Sequence, residues 1–166
     1  MRLPVPVLVR WSDLDAYGHV NNASLLTLLE EARITAFWAG GPVGSPTTAI
    51  IDAGPGATSV TVIARQEAEY LAQIPHHREP IVVDTWIGRM GGASMDVCYE
   101  VRSPDSATLY ARAQTTVVML DAATGAPRRL SDAERRAWEP YLEAPIVFRR
   151  GARGTGAEAA ADDAPR

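Results

Sequence analysis

Lysine is missing. All 16 basic residues of this 166-residue chain are arginine, which removes Schiff-base catalysis and a phosphate-loop lysine from consideration. Any anion held here must be met by arginine or by backbone N–H groups. Cysteine is nearly absent as well. Cys98 stands alone, so no internal disulfide framework exists and a reducing compartment fits. Long apolar runs are also lacking. No segment approaches the roughly 20 apolar residues that span a bilayer. In "MRLPVPVLVRW", Pro4, Pro6 and Arg10 interrupt what would be the core of a signal peptide. The expectation is a cytoplasmic protein without membrane attachment.

Excess positive charge is missing too. The net charge is −4, and no basic cluster interleaves with aromatics, so nucleic acid is not an expected partner. The only histidine pair is His76-His77, with no third ligand at zinc spacing, and neither a metal nor another cofactor is expected. With 46% hydrophobic and 22% charged residues, the composition is that of an ordinary globular chain, long enough for one domain with one core.

A short valine-rich strand is expected over Val5 to Trp11, bounded by proline and by Ser12-Asp13. Next comes "SDLDAYGHVNN", which gathers two acids, a glycine, a histidine and two asparagines ahead of a leucine run. Asn21 or Asn22 is a good helix N-cap. Leu25, Leu28, Leu29, Ala32 and Ala36 then recur at helical spacing, and Leu26, Ile34 and Phe37 widen the stripe. This helix should be wrapped by other structure and end at Gly40-Gly41 and Pro42. A loop follows to about Thr58, with a short strand expected at Ala49 to Asp52. From Ser59, four segments rich in β-branched and aromatic residues read as strands, with turns at Gly91-Gly92 and Pro104-Asp105. Ser131 and Glu134 form a capping-box pattern for a second helix running to Leu142. Residues 1–148 are expected to form the domain and 149–166 a disordered tail. A helix on one face of an antiparallel sheet is the α+β arrangement.

"VRWSDLDAYGHVNNASLLTLLEEAR" resembles the N-terminal signature of hotdog-fold thioesterases of the 4-hydroxybenzoyl-CoA thioesterase group. Its pattern falls on Asp13, Asp15, Gly18, His19 and Val20. "VIARQEAEYLAQI", "GRMGGASMDVCYEV" and "ARAQTTVVMLD" resemble the later strands of that family, and the match runs from Val5 to Asp121. The resemblance implies a long central helix wrapped by a five- or six-stranded antiparallel sheet. It implies homodimers or homotetramers, with acyl-CoA or an acyl-carrier-protein thioester as substrate at the subunit interface. It places the catalytic carboxylate on Asp15 and the carbonyl-polarising backbone N–H on Asn22. Tyr17, Gly18, His19, Arg65, Glu69, Arg89 and Ser94 are the candidate substrate contacts, and Glu31 and Glu69 the reserve acids.

The chemistry agrees with these positions. There is no Gly-x-Ser-x-Gly nucleophile elbow, and Cys98 has no activating motif. A carboxylate beside a helix N-terminus remains, where free N–H groups and about half a positive charge suit a developing oxyanion. Asp15 would act as general base on water or attack directly to give a mixed anhydride. Against this stands a structural role in which Asp13 and Asp15 only close turns through their own backbone, and the asparagines only cap. Two departures from the family's pattern stand out: Asn22 occupies a place often held by His, and Leu25 one often held by an aromatic residue. The alternative to an enzyme is a hotdog module that binds acyl thioesters without cleaving them.

Overall fold

In the computed structural model, residues 1–40, 46–52 and 54–149 are described. The order is β1 (Leu3–Val7), α1 (Asn22–Phe37), β2 (Ser59–Tyr70), β3 (Ile81–Met90), β4 (Ser94–Arg102), β5 (Leu109–Asp121) and α2 (Asp132–Trp138). The five strands form one antiparallel sheet in the order β1-β3-β4-β5-β2. A 16-residue helix lies against one face, giving the hotdog arrangement.

The burial pattern explains why α1 sits there. Leu25, Leu28, Leu29, Ala32, Ala36 and Phe37 are buried, a stripe at helical spacing that packs against Val5, Val7, Val83, Val97, Tyr99 and Val101. Each buried leucine contributes on the order of 1.5–3 kcal/mol. Arg33 is the anomaly in this stripe: it is buried, bonds the Tyr99 hydroxyl at 3.3 Å, and reaches exposed Glu30 at 3.4 Å.

Strand alternation gives the sheet two unlike faces. Val97, Tyr99 and Val101 of β4 face the helix. Cys98 and Glu100 face the other way, where Glu100 pairs with Arg2, Arg102 and Arg112. The segment after α2 crosses this outer face. Leu142 bridges Ile87, the Ala144 carbonyl accepts the Trp86 indole N–H at 3.0 Å, and Pro145 packs on Gly88. A Cβ at Gly88 would meet the Cys98 sulfur at 2.7 Å and Pro145 of the crossing segment at 3.1 Å, so glycine lets the segment lie this close.

Several element bounds differ from those read along the chain. β1 begins at Leu3 and leaves the sheet at Val7, taking in Pro4 and Pro6. Both prolines sit on an edge strand, where a missing N–H costs no ladder bond if it faces outward. The expected strand at Ala49 to Asp52 shrinks to a single bridge between Ile51 and Trp38. That bridge also ends α1 early: Ala39 donates to the Ile51 carbonyl instead of continuing the helix. Of the expected stop signals, Gly41 and Pro42 lie outside the described residues, as does the tail from residue 150. The Ser131–Glu134 capping box forms as expected, but α2 gives way at Trp138 to a 3-10 turn containing Pro140.

Candidate active site

The loop between β1 and α1 is built from two turns, each closed by its own aspartate. In the first, Asp13 accepts the Arg10 backbone N–H at 2.7 Å and pairs with the Arg10 guanidinium at 3.0 Å. Burial works against its charged form, but the hydrogen bonds and charge of Arg10 prevail and hold the Asp13 carboxyl below the ordinary range. In the second, the Asp15 Oδ1 atom accepts the N–H groups of Tyr17 at 2.8 Å and His19 at 3.3 Å. The Asp15 N–H donates to the His19 carbonyl, and Gly18 donates back to Asp15 at a φ of +78° that only glycine adopts cheaply. The second oxygen of Asp15, Oδ2, has no protein partner among the described residues. The carboxylate is therefore oriented through one oxygen and free at the other.

The helix start is arranged in a complementary way. Asn21 is the N-cap, and its side chain accepts the N–H of Ala23 at 2.8 Å. Its own N–H is tied to the Asp13 carbonyl at 2.8 Å, which fixes the helix end to the first turn. The cap thus satisfies the second N–H of the helix and leaves the first, that of Asn22, without an acceptor among the described residues.

Asp15 and Asn22 both line one cleft of about 500 Å³. Its walls include Asp15, Tyr17, His19, Asn22 and Leu25 on one side, with Tyr70 and the segment to Ile74 on the other. The two walls are stitched by Val20 donating to the Ile74 carbonyl at 2.9 Å and by a bridge between His19 and Pro75. Tyr70 leans over the helix start, its hydroxyl 3.5 Å from the Asn22 carbonyl. The leucine at position 25 leaves the floor apolar.

Asp15, Tyr17, His19 and Asn22 line this cleft, and Gly18 shapes the turn beside it. The other four candidates lie elsewhere within one chain. Tyr70 faces the helix, so by alternation Arg65, Glu67 and Glu69 point to the outer face of β2. There Arg65 pairs with Glu67 at 2.6 Å, and Glu69 accepts the Arg149 N–H at 3.4 Å. Arg89 pairs with Asp96 at 2.9 Å near the β3–β4 hairpin. Ser94 is in register with Val118, and Val118 with Val62, eight residues along β2 from Tyr70. That is roughly 26 Å from the cleft at the usual rise of a strand. The reserve acid Glu31 lines a separate groove with Leu28 and Arg10 on the β1 side of the helix. Of the cleft residues, Tyr70 was not among the candidates, and the exposed or half-buried run around it gives no alternation that marks it as facing the helix. His76 and His77 do not share a ligand position: one stacks on Trp11, and the other bonds the Tyr110 hydroxyl at 2.9 Å.

A helix backed by a single antiparallel sheet, with an oriented acid at the helix N-terminus, defines the hotdog class. A family model described as the thioesterase-like superfamily matches residues 9–142, and the chain belongs to that superfamily. A thioesterase from Thermus thermophilus, solved with coenzyme A and Zn, is 28% identical with a TM-score of 0.64, over 86% of this chain and 95% of that one. A 1,4-dihydroxy-2-naphthoyl-CoA thioesterase from Synechocystis is 20% identical with a TM-score of 0.66, over 82% of this chain and 95% of that one. At that identity it speaks for the fold alone. No curated protein matches the chain. Together these findings support thioester hydrolysis as the general chemistry.

Proposed function

We propose that the protein hydrolyses acyl-CoA or acyl-carrier-protein thioesters in the cleft at the start of α1. One observation carries this reading: Asp15, with one oxygen unengaged among the described residues, and Asn22, whose N–H the cap leaves over, line the same cleft. The thioester carbonyl oxygen points at the Asn22 N–H, where the helix dipole favours the negative charge that develops. Asp15 either draws a proton from a water that adds to the carbonyl carbon, or adds to that carbon itself to give a mixed anhydride that water then hydrolyses. In both cases the thiolate of the carrier leaves and takes up a proton given up by that water. Tyr17, His19 and Tyr70 frame the acyl carbon, and Leu25 receives the start of the acyl group.

The chain works as a homodimer, or as a tetramer built from such dimers, joined at the free edge of β2. That edge runs 12 residues and exposes Val60, Val62, Ile63 and Tyr70, which pairing with a second copy would cover. In such a pair, Arg65, Arg89, Ser94 and Glu69 are candidates to meet the carrier of the neighbouring subunit. A lone cysteine and a CoA-linked substrate both fit work in the cytoplasm. Among the described residues no helix is long and apolar enough to cross a membrane.

The test is release of free thiol from a panel of acyl-CoAs by the wild-type chain and by Asp15→Asn and Asp15→Ala, after circular dichroism shows that both variants fold. Turnover that disappears in both variants is the expected result. A wild-type chain that binds acyl-CoA tightly yet releases no thiol would establish the non-catalytic module instead.

A further inference from the structure

Trp11 is one of four tryptophans. Trp86 and Trp138 are buried, whereas Trp11 is 75% exposed. Its indole is not loose. It stacks on the imidazole of His76 with ring centroids 4.1 Å apart and planes 8° from parallel. The indole is mounted on the 3-10 turn Trp11–Asp13, closed by the Arg10–Asp13 ion pair and by Asp13 donating to the Arg10 carbonyl at 3.0 Å. The imidazole is mounted beside Pro75, which bridges His19 in the cleft wall. One face of the indole is backed by a flat ring, and the residue as a whole stays largely exposed.

We propose that Trp11, backed by His76, is the platform on which the adenine of coenzyme A stacks when its acyl group occupies the cleft. The proposal rests on the cleft being a thioester site, and it selects CoA over a carrier protein, whose prosthetic arm has no base. Position supports it. Trp11 is four residues from Asp15, at most about 14 Å along the chain, and His76 is two residues from Ile74 in the cleft wall. The pantetheine and pyrophosphate of CoA bridge such a separation, leaving the base at the rim. Chemistry supports it as well. A flat, electron-rich ring held from behind stacks any purine with little ordering cost. Arg78, two residues past His76, is exposed and donates no hydrogen bond among the described residues, so it is available to the phosphates. Tyr17, 84% exposed on the cleft wall, adds a second exposed aromatic ring in the same loop.

The experiment compares one acyl group carried on CoA and on pantetheine, which lacks the nucleotide. For the wild type, KM is expected to be about tenfold lower for acyl-CoA, the scale of one base–aromatic stack. In Trp11→Ala that gap narrows towards parity, with kcat on acyl-CoA retained. His76→Ala moves it the same way by less. In parallel, the wild-type intrinsic fluorescence is titrated with CoA, with an adenine nucleotide and with pantetheine. Quenching by the first two and not the third is expected, and this readout stands even if the chain turns over neither thioester. A gap that survives Trp11→Ala, or quenching by pantetheine and not by the nucleotide, overturns the platform while leaving the thioesterase reading untouched.

Discussion

The two halves of the loop before α1 use the same device to different ends. In Arg10–Leu14, Asp13 is buried and both its oxygens are engaged by Arg10. In Asp15–Val20, two residues on, Asp15 is half-buried and, among the described residues, engaged through one oxygen only. A carboxylate with both oxygens bonded to a permanent cation is a fastener. A carboxylate held in one orientation with an oxygen to spare is a reagent. The difference lies in a nearby cation, since Arg10 lies within reach of the first acid and Asp15 has no ion-pair partner among the described residues.

Neutralising each acid in turn separates the roles. Asp15→Asn keeps an oxygen for the Tyr17 and His19 N–H groups, so folding persists, while the base or nucleophile is lost. The expected result is a fall in kcat of about 100-fold or more, read by thiol release, with the thermal midpoint nearly unchanged. Asp13→Asn reverses the pattern. It removes the charged acceptor of Arg10 and costs roughly 1.5–3 kcal/mol of stability, read by urea denaturation, with a much smaller change in kcat for the folded fraction.

The pH dependence sharpens the same contrast. The folded-state carboxyls of Asp13 and Glu134 are both held below their ordinary values. For each, burial opposes the charge and the arginine partner, Arg10 or Arg128, more than offsets it. A depressed carboxyl stabilises the fold above its unfolded value, about 3.9 for Asp and 4.3 for Glu. That contribution is lost as pH falls through the lower folded value. Stability should therefore hold from neutrality to about pH 4 and fall below it, and Asp13→Asn should show a shallower acid limb in the same denaturation series.

Gly18→Ala probes the frame of the second turn. No atom stands within 4 Å of a Cβ there, so the whole effect is the strain of a +78° φ, roughly 1–2 kcal/mol. A loss of kcat larger than the loss of stability is expected, because the turn aims Asp15. Tyr70→Phe is the mildest change. Its contact with the Asn22 carbonyl is 3.5 Å long and exposed, so a cost below about 1 kcal/mol in kcat/KM is expected.

Much of this loop was legible from residue types. Gly18 marked the sharp turn, the asparagines marked the cap, and the spacing of Leu25, Leu28 and Leu29 marked the buried face of α1. What could not be read was which asparagine caps. With Asn21 in that place the N–H of Asn22 is left over, whereas a cap at Asn22 would move every assignment one residue on. Strand parity was equally hidden. Glu69 and Tyr70 are neighbours in sequence, yet Tyr70 faces the helix and Glu69 meets Arg149 on the outer face. A run such as "ARQEAEY", exposed or half-buried throughout, carries no hydrophobic alternation to say which side is in. The segment laid across the outer face had no periodic signal either, since its contacts run through the Ala144 carbonyl and through Pro145 against Gly88, which leave no apolar repeat to read. Arg33 broke the helical pattern outright: an arginine on a buried stripe reads as exposed until a tyrosine hydroxyl is found opposite it.

The most direct measurement is the single-turnover rate of thiol release from one acyl-CoA by Asp15→Asn and Asp13→Asn, each at a temperature where the variant is fully folded. If the free oxygen at residue 15 does the chemistry, the first variant falls about 100-fold or more below wild type and the second stays within a few-fold of it. Equal rates in the two variants, or an Asp15→Asn chain that keeps the wild-type rate, would contradict the account.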